Sequence, residues 1–407
     1  MRFLFNTAYY KPAISTGGPV ASVSALAEQL VARGNDVTVI CSDLDLHAHM
    51  PVDTERLHLI SGVQVKYFHA RPTLLQRTGI AAFTRAGVFT FGASLNRWLD
   101  QHSSEFDVID SQISFTNSNP VCSRFAKANR QIYFYHQRGN LDPIRLGSGR
   151  LKKLFYLKLV EKRVMARADV LIALTNAEVG FYRALGMRNR IEVVPNGIHP
   201  DRCERPSDTL SQDAAELISW CGDEPVFLWM SRIHPLKGLG IFVEAFINVA
   251  KRCPFVRGII AGPDEKKELA EWWDKIVVAG LANRVKYAGI LAGHDKRAVL
   301  QRADCYVLPT ASEGFSMAIL EAMAAGSAIL TTREAYFNAI EGARAGIIAP
   351  RNTDAFAAAM LELARGGRNA MREMGVRGKI LVESQYTWEA IAESYERIAK
   401  ECIRRRE

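Results

Sequence analysis

Short apolar runs rich in β-branched and aromatic residues recur along this chain, each followed by a longer stretch with helical spacing of its apolar positions. In the first half they predict strands near Phe3–Phe5, Val37–Cys41, Val63–Phe68, Val108–Asp110, Ile132–Tyr135, Val170–Ala173 and Ile191–Val194. The rhythm returns at Val226–Met230, Val256–Ala261, Val285–Tyr287, Cys305–Leu308 and Ala328–Thr331. Strands separated by helices imply parallel sheets with right-handed crossovers, so the pattern predicts an α/β protein of two doubly wound, Rossmann-like domains. Pro195-Asn196-Gly197 is a turn sequence that closes the last strand of the first half. A polar stretch from about Asp201 to Glu224 follows, with little apolar periodicity beyond Leu217-Ile218, before Pro225-Val226 opens the second half.

Length supports this division. At 407 residues the chain exceeds what one hydrophobic core organises, and two domains of roughly 200 residues follow. In doubly wound sheets ligands sit at the carboxyl ends of strands. Two such edges facing each other define a central cleft, the expected place for chemistry.

Composition narrows the class. Hydrophobic residues make up 48% and charged residues 23%, ordinary for a soluble globular protein. No stretch of about 18 residues is apolar and uncharged, so no spanning helix is predicted. The apolar run at Met1–Phe5 meets Asn6 and Tyr9-Tyr10-Lys11-Pro12 too soon for a signal-peptide core and reads as a strand, so a cytoplasmic location is expected. Seven cysteines, at 41, 122, 203, 221, 253, 305 and 402, show no C-x-x-C spacing and suit a reducing compartment better than disulfides or structural zinc. The net charge of +9 admits a nucleic acid, an anionic membrane surface or a phosphate-bearing ligand. Dispersed basic residues without an interleaved aromatic platform argue against nucleic acid.

The sharpest chemical signal is the segment from Pro309 to Gly326, which follows an apolar strand and turns into a helix of strong helix formers. The helix start, over Gly314, Phe315, Ser316 and Met317, offers backbone N–H groups and a partial positive charge to an anion. Glu313 precedes it and Glu321 lies about one turn inside, so both carboxylates can border one ligand. A carboxylate accepts hydrogen bonds from two vicinal hydroxyls, which is how proteins hold a ribose. Taken singly, Glu313 is an ordinary loop carboxylate and Glu321 a solvated helix position.

Arg232 and Lys237, in Trp229-Met230-Ser231-Arg232-Ile233-His234-Pro235-Leu236-Lys237-Gly238, occupy the loop after the second domain's first strand. Two cations there can neutralise a diphosphate, Arg as a fork and Lys as a point charge, or they are two solvated loop cations. Gly17 and Gly18 stand between the first strand and a helix reaching Ala32, where paired glycines permit close backbone approach to a ligand. Pro19 suits the first helical position, a plain turn is the even alternative, and the spacing is no dinucleotide fingerprint. His136, at a carboxyl edge in Tyr135-His136-Gln137-Arg138-Gly139-Asn140, can bond a sugar hydroxyl or move a proton, or be structural.

Two further signals are read as surface features. Asp43-Leu44-Asp45 has D-x-D spacing, but with no third ligand apparent it reads as a polar loop. From Gly149 to Asp169, Lys152, Lys153, Arg163 and Arg167 cluster on a helical wheel while Lys158 and Lys162 intrude on the apolar side, which suits a solvated face better than a membrane helix.

These segments together resemble glycosyltransferase family 4, a retaining family with the GT-B fold. The likeness rests on Glu313 to Glu321 as a Glu-x7-Glu element, Arg232 to Gly238 as Arg-x4-Lys-Gly, Gly17-Gly18, Val194-Pro195-Asn196-Gly197 and Ala261-Gly262-Pro263. It implies that Arg232 and Lys237 bind the donor diphosphate in place of a metal and that Glu321 holds the nucleotide ribose. Glu313 would lie by the transferred sugar, Gly18 by the donor phosphate and His136 near the sugar, although Gln137-Arg138-Gly139 matches only a subset of the family. Asn196 and Gly262 join the substrate-binding set on the same basis. Residues 1–200 would form the acceptor domain, 201–385 the donor domain, and 386–407 a helix crossing back to the first domain.

The implied reaction moves a hexosyl unit from a UDP-, GDP- or ADP-linked sugar to a hydroxyl of a sugar or lipid-linked sugar, with no metal or other cofactor. Bacterial polysaccharide or glycolipid synthesis would be its setting, possible peripheral contact with an anionic membrane would place it on the inner face of the cytoplasmic membrane, and no nucleic acid partner is expected. The alternatives are a GT-B enzyme that does not transfer, such as a nucleotide-sugar epimerase, and a basic membrane-surface binding protein.

Overall fold

A computed structural model describes residues 1–13, 18–45, 48–72, 89–147, 154–199, 210–265 and 267–406. Two compact units result, one of Met1–Gly197 with Trp388–Glu407 and one of Ile198–Thr387.

The first unit carries strands β1 (Arg2–Asn6), β2 (Asp36–Ser42), β3 (Leu44–Asp45), β4 (Ala48–His49), β5 (Leu57–Ile60), β6 (Val63–Phe68), β7 (Arg71–Pro72), β8 (Phe89–Thr90), β9 (Val108–Ser111), β10 (Ile132–His136), β11 (Val170–Ala173) and β12 (Arg190–Val193). Eight of them form one sheet in the order β12-β11-β10-β9-β1-β2-β6-β5. All its pairs are parallel except β5 with β6. The second unit holds β13 (Val226–Met230), β14 (Arg257–Ala261), β15 (Val285–Tyr287), β16 (Cys305–Leu308), β17 (Ala328–Thr331) and β18 (Gly346–Ile348). These form a parallel sheet in the order β15-β14-β13-β16-β17-β18.

The inner strands are buried on both faces. Every residue of β9, β10, β11, β13, β16 and β17 is buried, which is why they read as continuous apolar runs rather than alternating ones. Helices cover both faces. In the second unit one core packs Phe227, Trp229 and Phe242 with Phe356 and Met360, and the other packs Leu228, Tyr306 and Ile319 with Val382.

Six described strands, β3, β4, β5, β7, β8 and β18, escaped the sequence pattern. The edge strand β5 is half exposed with two outward leucines, and β18 is three residues long and begins with glycine. The hairpin β3–β4 has two residues per strand. The expected linker contains a helix, Gln212–Cys221, with Ser211 as N-cap accepting from the Ala214 N–H at 3.2 Å. Its buried face is only Ala214, Leu217 and Cys221, too weak to register as periodicity. Within Gly149 to Asp169, Leu157–Glu161 is a π turn running into the helix Lys162–Ala166, while Arg150, Lys152 and Lys153 lie outside the described residues.

The last helix, Trp388–Arg404, belongs to the first unit. Tyr395 sits among Phe3, Phe5 and Phe134, with ring centroids 6.1, 6.1 and 5.5 Å away.

Candidate active site

Sheet topology chooses the edge. In the second unit β13 is flanked by β14 on one side and β16 on the other, so chain winding reverses between β13 and β16. The loops leaving the two strands diverge there and open a crevice for a ligand. Those loops carry Arg232 with Lys237 and Glu313 respectively.

The crevice is tied at several points. The Ala311 N–H donates to the Leu236 carbonyl at 2.7 Å, and the Thr310 hydroxyl reaches the same oxygen at 3.2 Å. Trp229 Nε1 donates to the Lys237 carbonyl at 3.2 Å. Gly238 has φ 72°, and a Cβ there would fall 2.2 Å from the Pro309 carbonyl oxygen. Only glycine lets the two loops approach so closely. Gly262, after β14, is similar, with φ 129° and a Cβ position 1.8 Å from the Ser231 carbonyl oxygen. The adjoining Ile233 N–H donates to the Pro263 carbonyl at 2.9 Å, so three strand ends are locked together.

On this frame Lys237 Nζ lies 2.5 Å from Glu313 Oε1. Both side chains are mostly shielded, 16% and 9% exposed, so the pair is held in a low-dielectric pocket rather than in bulk water. Arg232 is exposed. Ser316 caps the helix Met317–Ala324, accepting from the Ile319 N–H at 3.4 Å, and the first helical turn leaves N–H groups without intrahelical partners. Gly314 is buried between Glu313 and Phe315, whose ring packs on Phe337 and Tyr386 at 5.1 and 6.0 Å. Met317 opens the helix and Glu321 lies one turn on. Burial raises the pKa of the Tyr306 hydroxyl, and the charges of Glu313 and Glu321 push it further.

Two residues of this neighbourhood gave no local sequence signal. Lys296, on the helix Gly293–Arg302, pairs with Glu321 at 2.6 Å. Arg351 donates through Nε to the Pro309 carbonyl and through Nη2 to the Pro235 carbonyl, both at 3.1 Å, bracing the two loops. Each reaches the site from a remote stretch of chain, which spacing cannot reveal. A cavity of about 770 Å³ lined by Asp264, Lys267, Trp273 and Tyr287 touches none of Arg232, Lys237, Glu313 and Glu321, so volume alone does not mark the chemistry.

The remaining candidates lie in the first unit. Gly17 is outside the described residues. Gly18 opens the helix Gly18–Ala32, and among the described residues nothing beyond its chain neighbours and its own helix backbone comes within 4 Å of where a Cβ would stand. His136 is 2% exposed at the end of β10. Its Nε2 is 3.0 Å from the Tyr395 hydroxyl and 3.4 Å from Asp110 Oδ1, and its buried Nδ1 has no hydrogen-bond partner among the described residues. Burial lowers its pKa, against the pull of Asp110, which favours the neutral imidazole. Asn196 accepts from Arg138 Nη1 at 3.2 Å, and the same nitrogen bonds the Ser22 hydroxyl at 3.1 Å. Burial pushes the Arg138 guanidinium down to about 10, leaving it charged at neutral pH.

Known proteins resemble this chain over most of its length. Residues 17–197 match the model described as glycosyl transferase 4-like domain, and residues 224–366 match that of glycosyl transferases group 1. A D-inositol 3-phosphate glycosyltransferase of Nocardia farcinica is 29% identical over 255 residues, covering 58% of this chain and 54% of that protein. One from Corynebacterium urealyticum is 25% identical over 335 residues, covering 78% and 74%. The chain thus spans about half the length of the first relative and about three-quarters of the second. Among solved structures, Anabaena Alr3699/HepE in complex with UDP has a TM-score of 0.72 at 19% identity, covering 98% of this chain and 100% of that one. Sucrose-phosphate synthase from Thermosynechococcus elongatus has a TM-score of 0.70 at 17% identity, covering 99% of each chain. With its two doubly wound GT-B units and its match to both domain models, the chain belongs to glycosyltransferase family 4.

Proposed function

We propose that this protein transfers a hexosyl unit from a nucleotide diphosphate sugar to an acceptor hydroxyl with retention of anomeric configuration. The observation that carries the reading is the Lys237–Glu313 pair at the topological switch point, with Arg232 exposed on the same loop as Lys237 and a helix N-terminus following Glu313. In the reaction the bond from the anomeric carbon to the diphosphate oxygen breaks, and a bond to the acceptor oxygen forms on the same face. The acceptor's proton passes to the departing diphosphate, so no separate base is required. Negative charge grows on that diphosphate, where Arg232, Lys237 and the N–H groups near Phe315 would stabilise it without a metal ion. Glu321 would accept from the ribose hydroxyls, displacing Lys296, and Glu313 would border the sugar. The burial of His136 favours a positioning role within the first unit.

A UDP-linked sugar is the first donor to test, because Anabaena Alr3699/HepE was solved with UDP and with UDP-glucose. Lys237→Ala should keep its fold and lose about 10²- to 10³-fold in kcat, as loss of one donor at a developing oxyanion does elsewhere. An unchanged rate in a single-turnover assay would sink the diphosphate assignment. Nucleotide diphosphate release that requires acceptor separates transfer from epimerisation.

Peripheral membrane contact has its own support. No helix of the described residues is long and apolar enough to cross a membrane. Phe155 and Leu159 are nevertheless exposed, at 68% and 43%, beside Lys158 in the first unit. Basic and apolar groups presented together suit an anionic lipid surface. Flotation with phosphatidylglycerol vesicles should carry the protein upward at low salt, and Phe155→Ser should reduce the bound fraction.

A further inference from the structure

Asp43, set aside in the sequence as part of a polar loop, is buried at the carboxyl end of β2. Its backbone is fixed on both sides. The Asp43 N–H donates to the Phe68 carbonyl at 3.0 Å, and its own carbonyl accepts from the Met50 N–H at 2.7 Å. The carboxylate is oriented as well, because Oδ1 accepts from the Ala70 N–H at 2.9 Å. Oδ2 therefore points in one direction, and two imidazoles meet it there. His49 Nδ1, from β4, lies 2.8 Å away and His69 Nδ1, just past β6, 2.7 Å away. Three ligand-type atoms from three separate segments all fall within 4.8 Å of one another. The two rings stack at 4.6 Å, and their side chains are 48% and 55% exposed.

We propose that Asp43, His49 and His69 bind one divalent transition-metal ion, with Zn²⁺ as the probe of choice. Two neutral imidazoles and one carboxylate are a donor set suited to zinc and its first-row neighbours. Zinc bonds of about 2.0–2.2 Å in tetrahedral geometry separate ligand atoms by roughly 3.4 Å. The observed separations of 2.7 and 2.8 Å need to open by about 0.6 Å, which rotation of two half-exposed imidazoles supplies. The Ala70 N–H is the outer-shell contact that holds a ligating carboxylate in place. Three protein ligands leave a fourth position open toward solvent, at the edge of the sheet where ligands of doubly wound domains bind. Asp45, the second acid of the D-x-D spacing, takes no part. This site lies in the first unit and uses none of the residues assigned to the donor, so its test does not depend on turnover.

The experiment is Zn²⁺ titration of the metal-stripped full chain by calorimetry, with metal content after dialysis read by mass spectrometry. Wild-type protein should take up one Zn²⁺ and melt at higher temperature with it. His49→Ala and His69→Ala should each weaken binding at least tenfold, and the double variant should lose it. His58→Ala, on the neighbouring strand β5, should bind as wild type does. Co²⁺ in place of Zn²⁺ should give a visible absorption band that both His49→Ala and His69→Ala diminish. Absence of stoichiometric zinc in the wild type, or equal binding by a folded double variant, overturns the proposal and leaves the cluster as two imidazoles hydrogen-bonded to one carboxylate.

Discussion

At the residue scale the proposed donor cluster depends as much on one missing side chain as on the charged ones. Gly238 sits where the Lys237 loop crosses the end of β16, at positive φ and with the Pro309 carbonyl against it. Gly238→Ala should cost about 2–4 kcal/mol through strain and backbone displacement, read as a lower melting temperature. Because the strain falls beside Lys237, nucleotide affinity should drop even where the fold survives, and calorimetric titration with UDP measures it. Unchanged affinity in Gly238→Ala would mean that the loop contact is not what positions Lys237. The sequence drew attention to Gly238 as part of a spacing. Its physical role, permitting an approach that any Cβ would block, needed the partner carbonyl 71 residues away to be visible.

At the element scale the last helix is held to the first unit by a buried charge. Glu396 accepts from Arg33 Nε at 3.0 Å and from Asn35 Nδ2 at 2.7 Å. Burial would raise its pKa, but these bonds outweigh that and lower it. A carboxyl whose folded pKa is depressed contributes stability that is present above its unfolded value, about 4.3, and is lost as pH falls through the folded value. Glu396→Gln should therefore destabilise the protein by about 1–3 kcal/mol at pH 7 and by progressively less below pH 4.3. Melting curves of both proteins across that range check the sign, and parallel curves would exclude the pair as the source. The helix itself was expected from the family resemblance. The pair that docks it was not, since Arg33 and Glu396 lie 363 residues apart.

At the scale of the whole molecule each unit has its own pair of apolar cores, and the proposed donor cluster of Arg232, Lys237, Glu313 and Glu321 lies wholly in the second. A ligand that binds only the native state stabilises it by about 2.7 kcal/mol at one hundred times its dissociation constant. UDP at that excess should slow hydrogen exchange most at the ends of β13 and β16, where the Lys237 and Glu313 loops begin. Lys237→Ala should remove most of that protection. Protection confined to the first unit would place the nucleotide elsewhere.

The sequence by itself determined the two doubly wound halves, because strands buried on both faces must be written as continuous apolar runs between helical stretches. It also singled out Arg232, Lys237, Glu313 and Glu321 as candidates, since they stand in loops and a helix start that follow such strands. Its limits were equally physical. Edge strand β5, with outward-facing leucines, and the short β18 carry too little apolar pattern to register, and the helix Gln212–Cys221 buries only small side chains beyond Leu217. Tertiary structure alone decided the pairings: Lys237 with Glu313, Lys296 with Glu321, His136 beneath Tyr395, and Asp43 between two histidines. Local sequence fixes where a side chain sits along its own strand or loop, whereas its partner is chosen by sheet order and crossover path, which bring distant segments to one edge.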